Sequence, residues 1–300
     1  MSKFVVAVFV LSVALLPALA VEDDGRNLFE WSAVAPIIVA GTSLGEDGRY
    51  VEFRVVVALR GDPQSGDVLK IDVKYANRGR DRMMHPKPMR LDSGVDYVLL
   101  LDKMEPRKAG DAPFYRVERG VTGAREQPLE GREAFLSALA RFVEIQNTGS
   151  EELGWHMFEQ LLEETDPRLV ETALGQFLKF HRGKPEMTSS LVPLLDHPLD
   201  ELRAQSARLI GQIVDRYWEE ETIPEEEMVR AELVARATRD ESVPVRVAAT
   251  EALGEFPRGL VDEVLDEIAE SDPEQEVRYT AELIRLEHRQ EEIETAGRQE

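Results

Sequence analysis

Five histidines, His85, His156, His181, His197 and His288, are the side chains best suited to move a proton or hold a metal ion. None has a second histidine or an acid at a ligand spacing such as His-Glu-x-x-His. His85 precedes Pro86 in a proline-containing loop, His181 follows a helix-type run near Gly183, and His197 precedes Pro198. No Gly-x-Ser-x-Gly elbow offers a serine nucleophile. Gly41-Thr-Ser-Leu-Gly45 lacks the Gly-Lys-Ser of a phosphate loop. The absence of cysteine excludes disulfides, thiolate metal sites, thiol nucleophiles and a lipidated-cysteine anchor. Asp and Glu number 58, so close pairs of acids arise everywhere and identify nothing. The residues therefore assign no catalytic, cofactor-binding or metal site, and the expectation is a non-catalytic protein. A hydrolase with an unrecognised carboxylate site is the alternative from another class.

Binding chemistry is better represented. Residues 76–90, ANRGRDRMMHPKPMR, place Arg78, Arg80, Arg82, Lys87 and Arg90 against the single acid Asp81. Arginine forks suit carboxylates, and Met83, Met84 and Met89 supply adaptable apolar surface. The segment reads as a contact for acid, on a partner or within the chain, or as an ordinary surface loop. Among the tryptophans Trp31, Trp155 and Trp218, Trp218 is the candidate aromatic anchor, and packing is its competing role.

Charge separates the two halves. Residues 1–128 hold 18 acidic and 18 basic side chains, and residues 129–300 hold 40 and 18. Phosphates would be repelled by the second half, which argues against nucleic acid and against anionic membrane surfaces. A basic protein partner is favoured electrostatically. Solubility alone is the plainer explanation of the acidity.

The first twenty residues have Lys3, an apolar run FVVAVFVLSVALL and a small-x-small ending at Ala18-Leu19-Ala20. This is the pattern of a secretory signal peptide, and the run is short for a membrane span of about 20 residues. The expectation is export with cleavage and no stable membrane anchor afterwards. An exported chain without cysteine suits the periplasm or exterior of a bacterium.

The elements that would position these groups come in two kinds. In the second half, related stretches recur: TDPRLVETALGQFL (165–178), HPLDELRAQSARLIGQI (197–213), DESVPVRVAATEALGEF (240–256) and SDPEQEVRYTAELIRL (271–286). In the third, Val245, Val247, Ala248, Ala249, Ala252 and Leu253 mark one helical face. Three copies carry an arginine after an apolar residue, Arg203, Arg246 and Arg278. Gly175, Gly211 and Gly254 fall at matching places, 36 and 43 residues apart, near the period of about 40–47 known for helical arrays. Their position just past each apolar run suggests left-handed helix caps. The pattern resembles the HEAT-repeat family. That resemblance implies an α-solenoid of stacked hairpins, each covering its neighbour's apolar face, with binding along a surface. It also implies a structural role for Arg203, Arg246 and Arg278. The first copy lacks the arginine and reads as a cap.

The first half alternates with period two. Ile37–Ala40, Tyr50–Leu59, Asp67–Tyr75, Val95–Leu101 and Phe114–Glu118 read as strands between turns such as Gly48-Arg49 and Asp92-Ser93-Gly94. No helix-length pattern separates them, so a small antiparallel barrel or sandwich is expected. Ala-x-x-x-Val-x-Gly-Thr, Val-x-Phe-x-Val, Leu-Arg-Gly-Asp and Tyr-x-Leu-Leu-Leu are similar to netrin-like, OB-type barrels over residues 28–120. Animal protease inhibitors of that type act through an N-terminal cysteine. This chain has none, so a protease-inhibitor-like module is only a further alternative.

The fold class expected is therefore α+β in separate domains: a small antiparallel β-barrel or sandwich, then an α-solenoid of helical hairpins. The divisions are a signal peptide at 1–20, a β domain at 28–120, a linker at 121–128, the solenoid at 129–290 and a frayed tail at 291–300.

Overall fold

The computed structural model describes residues 27–33, 35–73, 89–105, 112–118, 123–218 and 222–297. The chain divides into two compact units. One holds the strands between Val34 and Gln127, and the other holds Asn27–Ala33 together with Pro128 onward. Arg78, Arg80, Arg82, Lys87 and the signal-like leader lie outside the described residues.

In the first unit β1 (Ile37–Asp47) and β2 (Tyr50–Arg60) form a long hairpin, followed by β3 (Val68–Asp72), β4 (Asp96–Met104), β5 (Phe114–Val117) and β6 (Ala124–Glu126). The hairpin turns on Gly48, whose φ of 64° suits a two-residue loop. The strand order β1-β2-β3-β5-β4 closes through a β1–β4 pairing, so the sheet is a five-stranded barrel. A Cβ at Gly41 would collide with the carbonyl of Arg54. That close approach and the register shifts in β1 bend the strand, which pairs with β2 along its length and with β4 over Ile37–Thr42. Val39, Val51, Phe53, Ile71, Leu99 and Leu101 fill the interior. Asp72 is fully buried on β3 and accepts from Arg49 Nε at 2.9 Å, which ties the hairpin turn to a third strand.

Three expectations for this unit need correction. The barrel is not wholly antiparallel, because β3 and β5 pair in parallel. Residues 124–126, inside the segment read as a linker, are strand β6 paired to Tyr97–Leu99. Met89, read as surface, is 4 % exposed in the barrel core, because strand β4 is preceded by the buried pair Met89 and Leu91.

The second unit begins with a short helix, α1 (Leu28–Ser32), which the alternating pattern assigns to the β domain. Trp31 is 1 % exposed, and Phe29 meets Phe142 and Phe158 edge-on at 5.9 and 5.0 Å. Gln146 Nε2 donates to the Phe29 carbonyl at 2.7 Å. The rest is helical: α2 (Arg132–Asn147), α3 (Glu151–Leu161), α4 (Pro167–Phe180), α5 (Thr188–Leu191) between two 3₁₀ turns, α6 (Asp200–Tyr217), α7 (Glu226–Arg239), α8 (Val243–Gly254), α9 (Arg258–Ser271) and α10 (Gln275–Gly297). The last helix runs to Gly297, through most of the segment expected to fray.

Two layers result. Helices α4, α6, α8 and α10 pack in succession, and α3, the 185–196 turns, α7 and α9 back them. The contacts are close because they are small. Ala204, Ala207, Ala248, Ala249 and Ala252 are all at most 1 % exposed. Ala249→Leu would overpack this layer and is expected to cost about 1–3 kcal/mol, read as a lower urea midpoint at unchanged m-value.

Candidate interaction surface

Each of the four sequence copies opens its second helix with the same device. A turn side chain accepts the amide N–H two residues on: Asp166 from Arg168 at 3.0 Å, His197 Nδ1 from Leu199 at 3.1 Å, Asp240 from Ser242 at 3.0 Å and Asp272 from Glu274 at 2.8 Å. This satisfies a donor that the helix start leaves unpaired.

Six residues beyond that turn stands the recurring arginine. Arg203 donates from Nη1 to the His197 carbonyl at 2.8 Å, and from Nε and Nη2 to both oxygens of Asp240 at 2.9 and 2.8 Å. Arg246 repeats this, with Nη1 on the Asp240 carbonyl at 2.8 Å and a fork to Asp272 at 2.9 and 3.3 Å. Arg278 holds the Asp272 and Pro273 carbonyls at 2.5 and 3.0 Å. Each arginine thus grips its own turn, and the first two also grip the aspartate of the next. The side chains of Arg203 and Asp240 are 8 % and 2 % exposed. Burial alone would raise the Asp240 pKa. The Arg203 fork, the Ser242 amide and the charges of Arg203 and Arg236 outweigh it and hold the carboxyl below its ordinary value. Arg203 is raised in turn, chiefly by its bonds to Asp240.

The missing rung is missing at both ends. The first copy has Thr172 where the others have arginine, and the second has His197 where the next two have aspartate. A lone buried arginine or aspartate there would lack a partner, which is costly.

The glycines do other work than expected. Gly175 and Gly211 lie inside α4 and α6, and Gly254 ends α8 with no left-handed backbone. A Cβ at Gly211 would stand 3.0 Å from Ala252 Cα, and one at Gly254 would stand 2.9 Å from the Ile284 side chain. These two are close-approach residues between helices, and Gly175 faces open space. The left-handed cap of α4 is His181, with φ 50°.

That cap redirects the chain into a cleft of about 690 Å³. Glu151, Trp155 and Glu159 of α3 line it at i, i+4 and i+8, one helical face. Trp155 packs on Phe177 at 5.3 Å and Phe180 at 5.8 Å. Arg182 lies over the Trp155 ring at 5.6 Å and reaches Glu151 at 2.5 Å. Lys184 reaches Glu159 at 2.9 Å, and that bond raises its pKa. His156 stands 3.5 Å from Glu159 and is exposed. The ion pairs are more than half exposed on the basic side, so each is weak and exchangeable. An aromatic floor with a charged, exchangeable rim fits recognition. The sequence reading did not assemble this site; its one signal is the helical spacing of Glu151, Trp155 and Glu159.

The other expected contact residues are not gathered here. Arg90 is exposed beside the buried Met89. Trp218 is half-buried, edge-on to Phe256 at 5.5 Å, so packing takes up the ring read as a free anchor. Among the described residues, no group of three or more His, Asp or Glu is placed to hold a metal ion.

Residues 188–284 match the family model of HEAT repeats. This stretch is a HEAT-repeat array. It contains the Arg203–Asp240 and Arg246–Asp272 rungs and both close-approach glycines. Among solved structures, a chain from the complex of CpcE and CpcF of phycocyanin lyase from Nostoc sp. PCC7120 is similar at 16% identity. The match covers 51% of this chain and 90% of that chain, with a TM-score of 0.39. A likeness at that score carries neither activity nor partner to this HEAT array. No curated protein matches the chain.

Proposed function

We propose that the chain is an exported, non-catalytic scaffold that binds a basic protein partner along its HEAT-repeat surface. The observation that carries this reading is the charge of residues 129–300, 40 acidic against 18 basic side chains. The interior rungs use only Asp240 and Asp272 of those acids. Most of the remainder lie on the surface, where they attract positive charge over a Debye length of about 10 Å at 0.1 M salt. The cleft on α3 and α4 adds an aromatic floor to the same surface. The leader-like residues 1–20 support export.

The test is capture from a periplasmic extract on immobilised protein, at low and then high salt. The reading expects basic proteins retained at low salt and released as salt rises. Turnover of a hydrolase substrate panel, abolished by one acid-to-amide substitution, would replace the scaffold with the enzyme alternative.

A further inference from the structure

The two interior joints of the array show what covers a second-layer helix. One residue after the rung arginine stand Ala204 on α6 and Val247 on α8, 1 % and 8 % exposed. Four residues after it stand Ala207 and Thr250, both fully buried. Eight residues after it stand Gly211 and Gly254, which touch Ala252 and Ile284 of the following helix. The following helix packs on the two glycines, and helical spacing puts the other four positions on the same side of their helices.

On α10 the same positions are Tyr279, Glu282 and Leu286. Tyr279 and Leu286 are each 58 % exposed, and Leu283 beside them is 39 % exposed. This face differs from an interior joint, whose matching positions are small. It also differs from a solubilising cap, whose outer face is polar. Large apolar side chains at i, i+4 and i+7 form a stripe along one helix face. Glu276, Glu282 and Glu287 flank it, all exposed. Glu282 is the decisive residue. It occupies a place that is buried in both interior joints, so an occupant lying over the stripe would bury its carboxylate. Burying a carboxylate is costly unless a cation accompanies it.

We propose that the outer face of α10 is a docking surface for an amphipathic helix of a partner protein. That helix carries apolar residues on one side and Lys or Arg along the flanks. This rests on the scaffold reading and places one contact of the basic partner. The partner's apolar face covers Tyr279, Leu283 and Leu286, and its flanking cations meet Glu282 and the neighbouring glutamates. The net charge of residues 129–300, −22 from the same count, disfavours a second copy of this chain as the occupant.

The probe is a synthetic amphipathic peptide of three Leu-Lys-Lys-Leu-Leu-Lys-Leu heptads, with its Lys→Glu counterpart as control. Binding to the full chain is followed by fluorescence anisotropy. Two variants test the face: Tyr279→Ser with Leu286→Ser, and Glu282→Lys with Glu287→Lys. All four residues are exposed, so melting temperatures should stay near that of the parent. The expected result is binding of the lysine peptide only, weakened about tenfold or more in each variant. Binding that both variants keep would mean diffuse attraction to acid; it overturns this face and leaves the scaffold reading standing. Absence of binding to the parent also overturns the face, while the scaffold reading is judged by salt-graded capture. Sedimentation showing a parent dimer that Tyr279→Ser with Leu286→Ser splits would assign the face to a second copy and overturn the proposal.

Discussion

Arg203→Ala should cost the helical unit about 3–5 kcal/mol, the range for removing one partner of a buried ion pair. Asp240 would remain 2 % exposed at its side chain without the fork, and the His197 and Pro198 carbonyls would lose a donor. Arg278→Ala is the built-in comparison. Among the described residues Arg278 meets carbonyls and no carboxylate, and it is half-buried. Its loss should cost nearer about 1 kcal/mol. Urea unfolding followed by helical circular dichroism separates the two.

The same pair sets an acid limb. Asp240 has its pKa depressed in the folded chain. A depressed carboxyl contributes stability above its unfolded pKa of about 3.9 and loses it as pH falls through the lower folded value. In the parent this contribution should therefore survive down to about pH 4 and fade below it. Without Arg203 its burial is less opposed and the depression shrinks, so the part of the stability lost on acidification should become smaller in Arg203→Ala than in the parent.

Gly211→Val is the second large effect. The added Cβ would stand 3.0 Å from the Cα of Ala252, a backbone atom that yields only if α8 moves. The expected cost is about 1–3 kcal/mol from overpacking, offset only slightly because valine is a somewhat better helix former than glycine. Gly175→Ala should do the reverse. Nothing lies within 4 Å of its Cβ position, so helix propensity alone should stabilise α4 by about 0.5–1 kcal/mol. Equal responses at the two sites would show that the glycines share one role, contrary to the structure.

The repeats are legible in the sequence because each copy is local. The turn residue, the arginine six places on and the run of small residues all fall within some fifteen positions. The partner of that arginine is not legible, since Asp240 lies 37 residues from Arg203 and Asp272 lies 26 from Arg246. The uneven separations follow hairpin lengths that no pattern prints. The glycines mislead for the same reason. A glycine near the end of an apolar run reads as a cap, and only a neighbouring helix shows that space is what it supplies. In the barrel, alternation finds the strands, but the parallel β3–β5 pairing follows from closure. Helix α1 is too short for a period to emerge, and its helical fate rests on Phe29 packing against Phe142 and on the burial of Trp31. The cleft unites α3 with the end of α4 through the left-handed His181, a conformation that side-chain spacing does not announce.

The central claim is that each interior hairpin is joined to the next by an arginine shared between two turns. A double-mutant cycle at Arg246 and Asp272, using Arg246→Met and Asp272→Asn, tests it most directly in urea unfolding of the full chain. The account predicts strong non-additivity: each single substitution strands a buried partner, and the double substitution costs less than the sum by about 1–3 kcal/mol. Additive losses, agreeing within about 0.5 kcal/mol, would contradict it.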